Sequence, residues 1–273
     1  MIRPTLGRVG IAAAALALPL GLAAVPAQAA DMATVSVLHA IPEGAGADVV
    51  DVFANGDLLI DNFTPGTLET VEVPAGTYDL AVFGDGQTPD DAEPVLIAEA
   101  VEVPGGVNAT VTANLDAEGA PALNVFVNDI SALAAGEARL IVRHIAAAPA
   151  VDVLAGSDVI FSDVTNPNEG VIVVPAGDYE ASVNLAGTDT TVLGPAPIML
   201  EEGTVTIAYA WGSAEQENLA LATQLITDLS TGPEGVPAGG GSTTELPVWA
   251  LGIALLGAAA VVGAGARLAA TRN

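Results

Sequence analysis

The chain has 273 residues, no cysteine and no lysine, and its acidic side chains outnumber its arginines by 33 to six. The lack of cysteine excludes disulfides, thiolate catalysis and cysteine-rich zinc sites. Residues 31–245 hold all 33 acidic side chains and only two arginines, a formal charge of −31. This segment lacks the basic surface that nucleic acids and anionic membranes require, so no nucleic acid is expected as a partner.

The N-terminal segment, residues 1–29, is typical of a secretory signal peptide. Two arginines precede an apolar stretch over residues 11–25, and Ala27-Gln28-Ala29 comes next with the small-x-small pattern of a signal peptidase site. The sequence therefore predicts cleavage after Ala29 and an extracytoplasmic location for the segment that begins at residue 30.

Residues 33–133 alternate apolar and polar side chains with period two, the pattern of strands that bury one face. Asn55-Gly56, between two such runs, favours a two-residue hairpin turn. Shifting the sequence by 101 residues aligns residues 50–83 with 151–184 without a gap, and Gly156-Ser157 takes the place of the first turn. We predict an all-β protein with two tandem antiparallel β-sandwiches, Ig-like or transthyretin-like, over 33–133 and 138–231.

The C-terminal region differs in composition from the two copies. Residues 232–245 are rich in Gly and Pro and are predicted to be a stalk. Residues 246–266 carry no charge and are long enough for one transmembrane helix. Arginines in the tail, 267–273, place it in the cytoplasm by the positive-inside rule. A sortase signal is the rival interpretation, but Leu246-Pro247 is not followed by the Thr-Gly that the transpeptidase cuts.

Several phrases occur in both copies. Each has a histidine near the end of its first strand, a following proline, an Asp-Val pair, and Val-Pro-Ala-Gly-x-Tyr before a later strand. This combination resembles the secreted bacterial family called domain of unknown function 4397, over about 34–131 and 139–230. The resemblance implies extracytoplasmic β-sandwich modules, often in tandem, with no assigned reaction. The second copy departs from the pattern at Ile145, which comes directly after its histidine.

The two histidines define the first candidate sites, His39 with Asp51 and His144 with Asp152. One interpretation is structural: the imidazole bonds the aspartate or a loop carbonyl and fastens the turn into the next strand. The others are a ligand or ion site and an acid/base pair, although the chain contains no Gly-x-Ser-x-Gly nucleophile motif. We favour the structural role.

A second candidate is the acidic loop 84–93. It offers four oxygen-bearing side chains to a cation, for which calcium is the candidate: Asp85, Asp90, Asp91 and Glu93. The spacing of a calcium-binding EF-hand loop is absent, and the second copy does not repeat these acids, so a solvated hairpin is favoured.

These observations predict a noncatalytic, membrane-anchored surface protein with no required cofactor. Its sandwiches are expected to act as a spacer or to recognise an extracellular protein, glycan or ion, chiefly through loops 41–47 and 84–93. The alternatives are a cell-surface hydrolase that uses His39 or His144, and a calcium-binding module.

Overall fold

The computed structural model describes residues 31–231, which form sixteen β-strands and no helix. The first eight strands are β1 (Met32–Ala40), β2 (Val50–Ala54), β3 (Asp57–Phe63), β4 (Leu68–Pro74), β5 (Gly76–Gly84), β6 (Leu96–Val103), β7 (Asn108–Leu115) and β8 (Pro121–Val127). The second eight are β9 (Glu137–His144), β10 (Val151–Ala155), β11 (Asp158–Val164), β12 (Glu169–Pro175), β13 (Gly177–Leu185), β14 (Thr191–Leu200), β15 (Val205–Trp211) and β16 (Ala220–Ile226).

Four predictions lie outside the described residues: the signal peptide with its cleavage site at Ala29, the stalk, the transmembrane helix and the cytoplasmic tail. Within residues 31–231 there is no helix with the length and hydropathy that a membrane crossing requires.

Each copy consists of two four-stranded sheets with the same strand order. The first copy has β4-β1-β7-β8 and β3-β2-β5-β6, and the second has β12-β9-β15-β16 and β11-β10-β13-β14. We call β4-β1-β7-β8 and β12-β9-β15-β16 the inner sheets, because side chains of both pack in one buried cluster between the copies. The other two are the outer sheets. The tandem all-β architecture is as the sequence predicts.

The inner sheets are not purely antiparallel. β1 runs parallel to β7, with Thr34 opposite Asn108, and β9 runs parallel to β15, with Arg139 opposite Val205. The prediction of antiparallel sandwiches is wrong for these two pairs, since alternation shows which face is buried but not the direction of a neighbour. The central strands are buried on both faces, as parallel strands usually are.

The two faces of β1 serve two different cores. Val37 packs with the outer sheet of its own repeat, whereas Leu38 packs against the second repeat. In the second copy, Val142 likewise belongs to its own core, and Ile141 belongs to the cluster between the copies. The structure therefore has a core in each sandwich and a further apolar core that joins the sandwiches.

The predicted hairpin turns are confirmed. Asn55 and Gly56 have φ angles of 53° and 84°, the left-handed pair that a two-residue turn needs, and Ala54 pairs with Asp57 across it. In the second copy Gly156 has a φ of 61°, and Ala155 pairs with Asp158.

The connection between the copies, residues 129–136, is held against the second repeat. The Leu133 amide donates to the Leu229 carbonyl at 2.7 Å, and the Leu133 side chain is buried. One compact unit extends to Leu229, and all sixteen strands with their pairings and buried clusters lie within residues 31–231. This segment contains a complete core of its own, which is what a chain needs to fold independently.

Candidate functional site

His39 lies at the end of β1 and is buried, with 1% of its surface exposed. Its Nε2 is 2.8 Å from the Ala47 carbonyl oxygen, and the Ile41 amide donates to its Nδ1 at 3.4 Å. With Nδ1 accepting, the ring is neutral and Nε2–H donates to the carbonyl. Burial lowers the pKa of His39 below its usual value, which agrees with this neutral state. His39 thus fastens the β1–β2 loop from inside.

His144 repeats this arrangement at the end of β9. Its Nε2 is 3.0 Å from the Pro149 carbonyl oxygen, and the Ala146 amide donates to its Nδ1 at 3.3 Å. The ring is equally buried, and burial lowers its pKa. Ile145, where the second copy departs from the motif, packs in the cluster between the copies and does not disturb the histidine contacts.

Asp51 bonds to backbone amides. Its Oδ1 accepts from the Asn62 amide and its Oδ2 from the Gly86 amide, both at 2.9 Å. Asn62 has a φ of 55° and lies where the β2–β3 register is interrupted, so the carboxylate satisfies an amide that the ladder leaves free. Asp51 therefore ties the end of β3 to the β5–β6 loop.

Asp152 has the same two contacts, to the amides of Asp163 and Gly187. Both bonds lower the pKa of the Asp152 carboxyl, and the bond from the Gly187 amide has the larger effect. Among residues 31–231, neither aspartate hydrogen-bonds the histidine of its own repeat. The sequence leaves two partners open for each histidine, the aspartate and a loop carbonyl, and in the structure the partner is the loop carbonyl.

The acidic loop comes after β5 and is exposed. Asp85, Asp90, Asp91 and Glu93 all lie at the surface, and Asp91 Oδ1 accepts from the Thr88 amide at 2.8 Å. Within the described range no three His, Asp or Glu side chains form a group that could hold a metal ion. Calcium binding here stays the untested alternative to the solvated hairpin that the sequence favours.

Arg139 and Arg143, the two basic residues of the described segment, are both buried. Arg139 holds the connecting segment: its Nη1 donates to the Asp129 carbonyl at 2.6 Å, and its Nη2 donates to Ser131 Oγ at 2.8 Å. Nη2 also lies 3.3 Å from Asp129 Oδ2. The first cation therefore fixes the joint between the copies.

Arg143 lies between the inner sheets and is fully buried. Its Nε donates to Glu169 Oε2 at 2.7 Å, Nη1 to the Tyr209 hydroxyl at 3.0 Å and Nη2 to Asn128 Oδ1 at 2.9 Å. The guanidinium also lies 4.3 Å from the centroid of the Phe126 ring, a cation–π contact. Because Phe126 and Asn128 belong to the first copy, Arg143 binds the two copies together.

Gln224 extends this network. Its Nε2 donates to Ser36 Oγ at 3.0 Å, and its Oε1 accepts from Thr110 Oγ1 at 2.9 Å and from the Tyr209 hydroxyl at 2.6 Å. Burial raises the pKa of Tyr209, so its hydroxyl stays protonated and donates.

A short joint at 134–136 is predicted from the sequence, but its buried polar network is not, although a signal for this network is present there. Arg139, Ile141, Arg143 and Ile145 share one face of β9 and its extension by period two. An arginine at alternate positions of an otherwise apolar strand face indicates a buried polar contact.

Comparison with known proteins bears on the repeat that contains His39. The family model described as domain of unknown function (DUF4397) matches residues 33–154. Residues 33–154 belong to this family. The DUF4397 match thus covers the first repeat and reaches β10 of the second.

No curated protein matches the chain. Among solved structures, the chain is similar to one described as the Bacillus anthracis TIE protein, with 9% sequence identity and a TM-score of 0.20. The match covers 65% of this chain and 33% of that one, so the chain spans about a third of that protein's length. A likeness this weak shows nothing about the fold or function of this chain.

The geometry of the DUF4397 repeat is suited to holding loops in place. His39 and Asp51 direct their polar atoms at backbone groups of the loops after β1 and β5. Loops held by buried side chains lose little conformational entropy when they bind a partner. The arrangement can therefore present a preformed loop surface.

Proposed function

We propose that the chain is a noncatalytic, membrane-anchored surface protein whose joined sandwiches form a rigid acidic spacer and present loops for recognition. One observation carries the proposal: His39, His144, Asp51 and Asp152 are committed to loop backbone groups. These four residues are the ones in the repeated motif that acid/base or metal chemistry would use, and here they position loops. The partner is an extracellular protein, a glycan or an ion.

Charge supports the same proposal. Arg139 and Arg143 are buried at the joint, so the charged side chains exposed on residues 31–231 are all acidic. Such a surface repels other copies and favours a soluble, extended presentation, and it disfavours nucleic acid. A partner that docks by charge has to be cationic.

The finer fold assignment that we propose is the transthyretin-like alternative. Constant-type Ig domains pack a four-stranded ABED sheet on a three-stranded CFG sheet. Here both sheets of each repeat have four strands, and the first strand lies between the fourth and the seventh. This order departs from the Ig arrangement.

The hydrolase alternative needs His39 or His144 to exchange protons with a substrate, and both rings are 1% exposed with both nitrogens engaged. The test is a screen of the fragment 31–231 against glycan, peptide and ester substrates, with and without calcium. We expect no turnover above that of the His39→Ala/His144→Ala variant. Turnover that this variant abolishes would establish the hydrolase.

The calcium alternative has a separate test. We expect calcium to leave the melting temperature of the fragment unchanged, and the Asp90→Asn/Asp91→Asn variant to behave identically. A calcium-dependent rise in melting temperature that this variant loses would instead favour an ion-binding module.

Anchoring is tested on the whole chain. We expect the full-length protein to remain with the membrane in cell fractionation, with residues 31–231 accessible to protease added to intact cells. A chain that stops at residue 245 should be released into the medium. Retention of this shortened chain in the membrane would contradict the proposed helix at 246–266.

A further inference from the structure

The second repeat has an apolar cavity of about 150 Å³ between its inner and outer sheets. Its walls include Leu140 and Val142 of β9, Val153 of β10, and Ile198 and Leu200 of β14. The ring of Tyr179 also lines it, but the hydroxyl donates to the Pro175 carbonyl at 2.7 Å. The cavity therefore offers almost no hydrogen-bonding group to a ligand.

Two small side chains favour a larger, continuous cavity in the second repeat. The corresponding space in the first repeat is divided into two cavities of about 50 and 30 Å³. By strand register, Ala181 and Ala208 of the second repeat correspond to Leu80 and Val111 of the first. The two differences remove five carbon atoms from the middle of the second sandwich, and larger side chains elsewhere on its walls restore only part of this volume.

The cavity reaches the edge of the sandwich between β14 and β16. Leu221 lines it and is 46% exposed, and Leu225, on the same face of β16, is 52% exposed. In the first repeat, β6 lies against β8, whereas the corresponding strands β14 and β16 approach each other less closely. A hydrocarbon group can therefore enter from solvent along an apolar edge.

Charge selects among apolar ligands. A fatty acid or another amphiphilic anion needs a cation for its head group, but Arg139 and Arg143 are the only cations of residues 31–231 and both are engaged at the joint. The exposed charges of the described segment are acidic and would repel such a head group. These charges disfavour an anionic ligand, and the apolar walls offer a charged group no partner inside the cavity.

We propose that the second repeat binds a neutral hydrocarbon group of about the size of benzene between its sheets. Apolar cavities of about 150 Å³ stay dry and take up molecules of this size. An empty cavity weakens the packing of its walls, so occupation stabilises the sandwich. The group is either a free small molecule or the end of a longer neutral lipid that protrudes between β14 and β16.

The test is methyl-resolved NMR of the fragment 31–231 titrated with benzene, 1-hexanol, 1-dodecanol and hexanoate. We expect saturable shifts of Leu140, Val153 and Ile198 methyl groups with benzene and 1-hexanol, while Val50 and Val82 of the first core stay in place. Hexanoate should bind at least tenfold more weakly than 1-hexanol. Binding of 1-dodecanol at the same methyl groups would identify a lipid end as the source, and binding of the short ligands alone would identify a free molecule.

The matched variant is Ala181→Leu/Ala208→Val, which gives the second repeat the residues of the first. It should fold and bind benzene at least tenfold more weakly, and Ala208→Val alone should weaken binding if the double variant fails to fold. Met199→Ser, on the outward face of β14, is the control and should bind normally. No saturable shift, or equal binding by the filled variants, would overturn the proposal, and equally tight binding of hexanoate would overturn its neutrality.

Discussion

At the level of single residues, each buried histidine is held by one backbone acceptor and one backbone donor. His39 lies between the Ala47 carbonyl and the Ile41 amide, and His144 lies between the Pro149 carbonyl and the Ala146 amide. The sequence predicts a loop-fastening role but not these partners, because every residue type carries a backbone carbonyl.

Replacing either histidine tests this role. His39→Ala and His144→Ala each leave a buried carbonyl and a buried amide without a side-chain partner, and each also opens a void. We expect each change to reduce the free energy of unfolding by about 1–3 kcal/mol. The measurement is urea unfolding of the fragment 31–231, with the exposed change Asp85→Asn as a control. An unchanged unfolding midpoint in both variants would contradict the structural role.

The neutral state of the histidines predicts a pH dependence. Burial lowers both pKa values from the ordinary 6.5, so above pH 6.5 the folded and unfolded chains both carry neutral rings and the stability is fully present. As the pH falls below 6.5, the unfolded chain binds protons that the folded chain does not, and stability is lost.

Acidic residues also change the stability as the pH falls, so the histidine contribution is isolated by comparing the wild type with a variant that lacks both histidines. We expect His39→Gln/His144→Gln to lose less stability than the wild type between pH 7.5 and 5.5, measured by urea unfolding at each pH. Equal losses would mean that the rings are not held neutral.

At the scale of elements, an aspartate in each repeat joins two hairpins. Asp51 links the end of β3 to the β5–β6 loop, and Asp152 links the end of β11 to the β13–β14 loop. The Asp-Val phrase, visible in the sequence as a repeat, is therefore a connection between strands that are not neighbours in the chain.

Hydrogen exchange tests this connection amide by amide. In Asp51→Ala we expect faster exchange at the Asn62 and Gly86 amides, because both lose their acceptor, and no change at Asp163 and Gly187. Asp152→Ala should give the converse pattern, so each variant is the control for the other. Unchanged exchange at Asn62 and Gly86 in Asp51→Ala would contradict the connection made by Asp51.

Elements differ in how far the sequence predicts them. Alternation and turn residues predict strands and hairpins such as Asn55-Gly56, because these signals are local. The parallel pairing of β1 with β7 is not local: it joins strands with five others between them, and no residue pattern marks its direction. The bulge at Asn62 is not predicted for the same reason, since its compensating acceptor is eleven residues away at Asp51.

At the scale of the whole molecule, the two copies have become complementary rather than identical. The inner face of the first copy offers Ser36, Thr110 and Asn128, and that of the second offers Arg143, Tyr209 and Gln224. Since the donors and acceptors of these groups meet across the joint, the copies form one body. Both cations of the described segment are engaged inside this joint, which leaves an acidic exterior.

Trp211 makes the joint observable. It is the single tryptophan of residues 31–231, and its indole lies over Gly66 of the first copy, where a Cβ would come within 3.2 Å of the ring. Gly66 has a φ of 82°, so the position favours glycine for its backbone as well as for the contact. Tryptophan fluorescence therefore reports docking of the copies, while far-UV circular dichroism reports all sixteen strands.

The decisive measurement is urea unfolding of the fragment 31–231 followed by both signals, for the wild type and for Arg143→Met. We predict one transition at the same urea concentration for both signals in the wild type. Removing Arg143 leaves Glu169, Asn128 and the Tyr209 hydroxyl without their donor, at a cost of about 3 kcal/mol, the lower end for a buried pair because Glu169 is 32% exposed. In Arg143→Met the fluorescence change should come at lower urea than the loss of strands, whereas the exposed change Glu99→Gln should leave the curves coincident. Separate transitions in the wild type, or unchanged curves in Arg143→Met, would contradict a single body joined by its buried arginine.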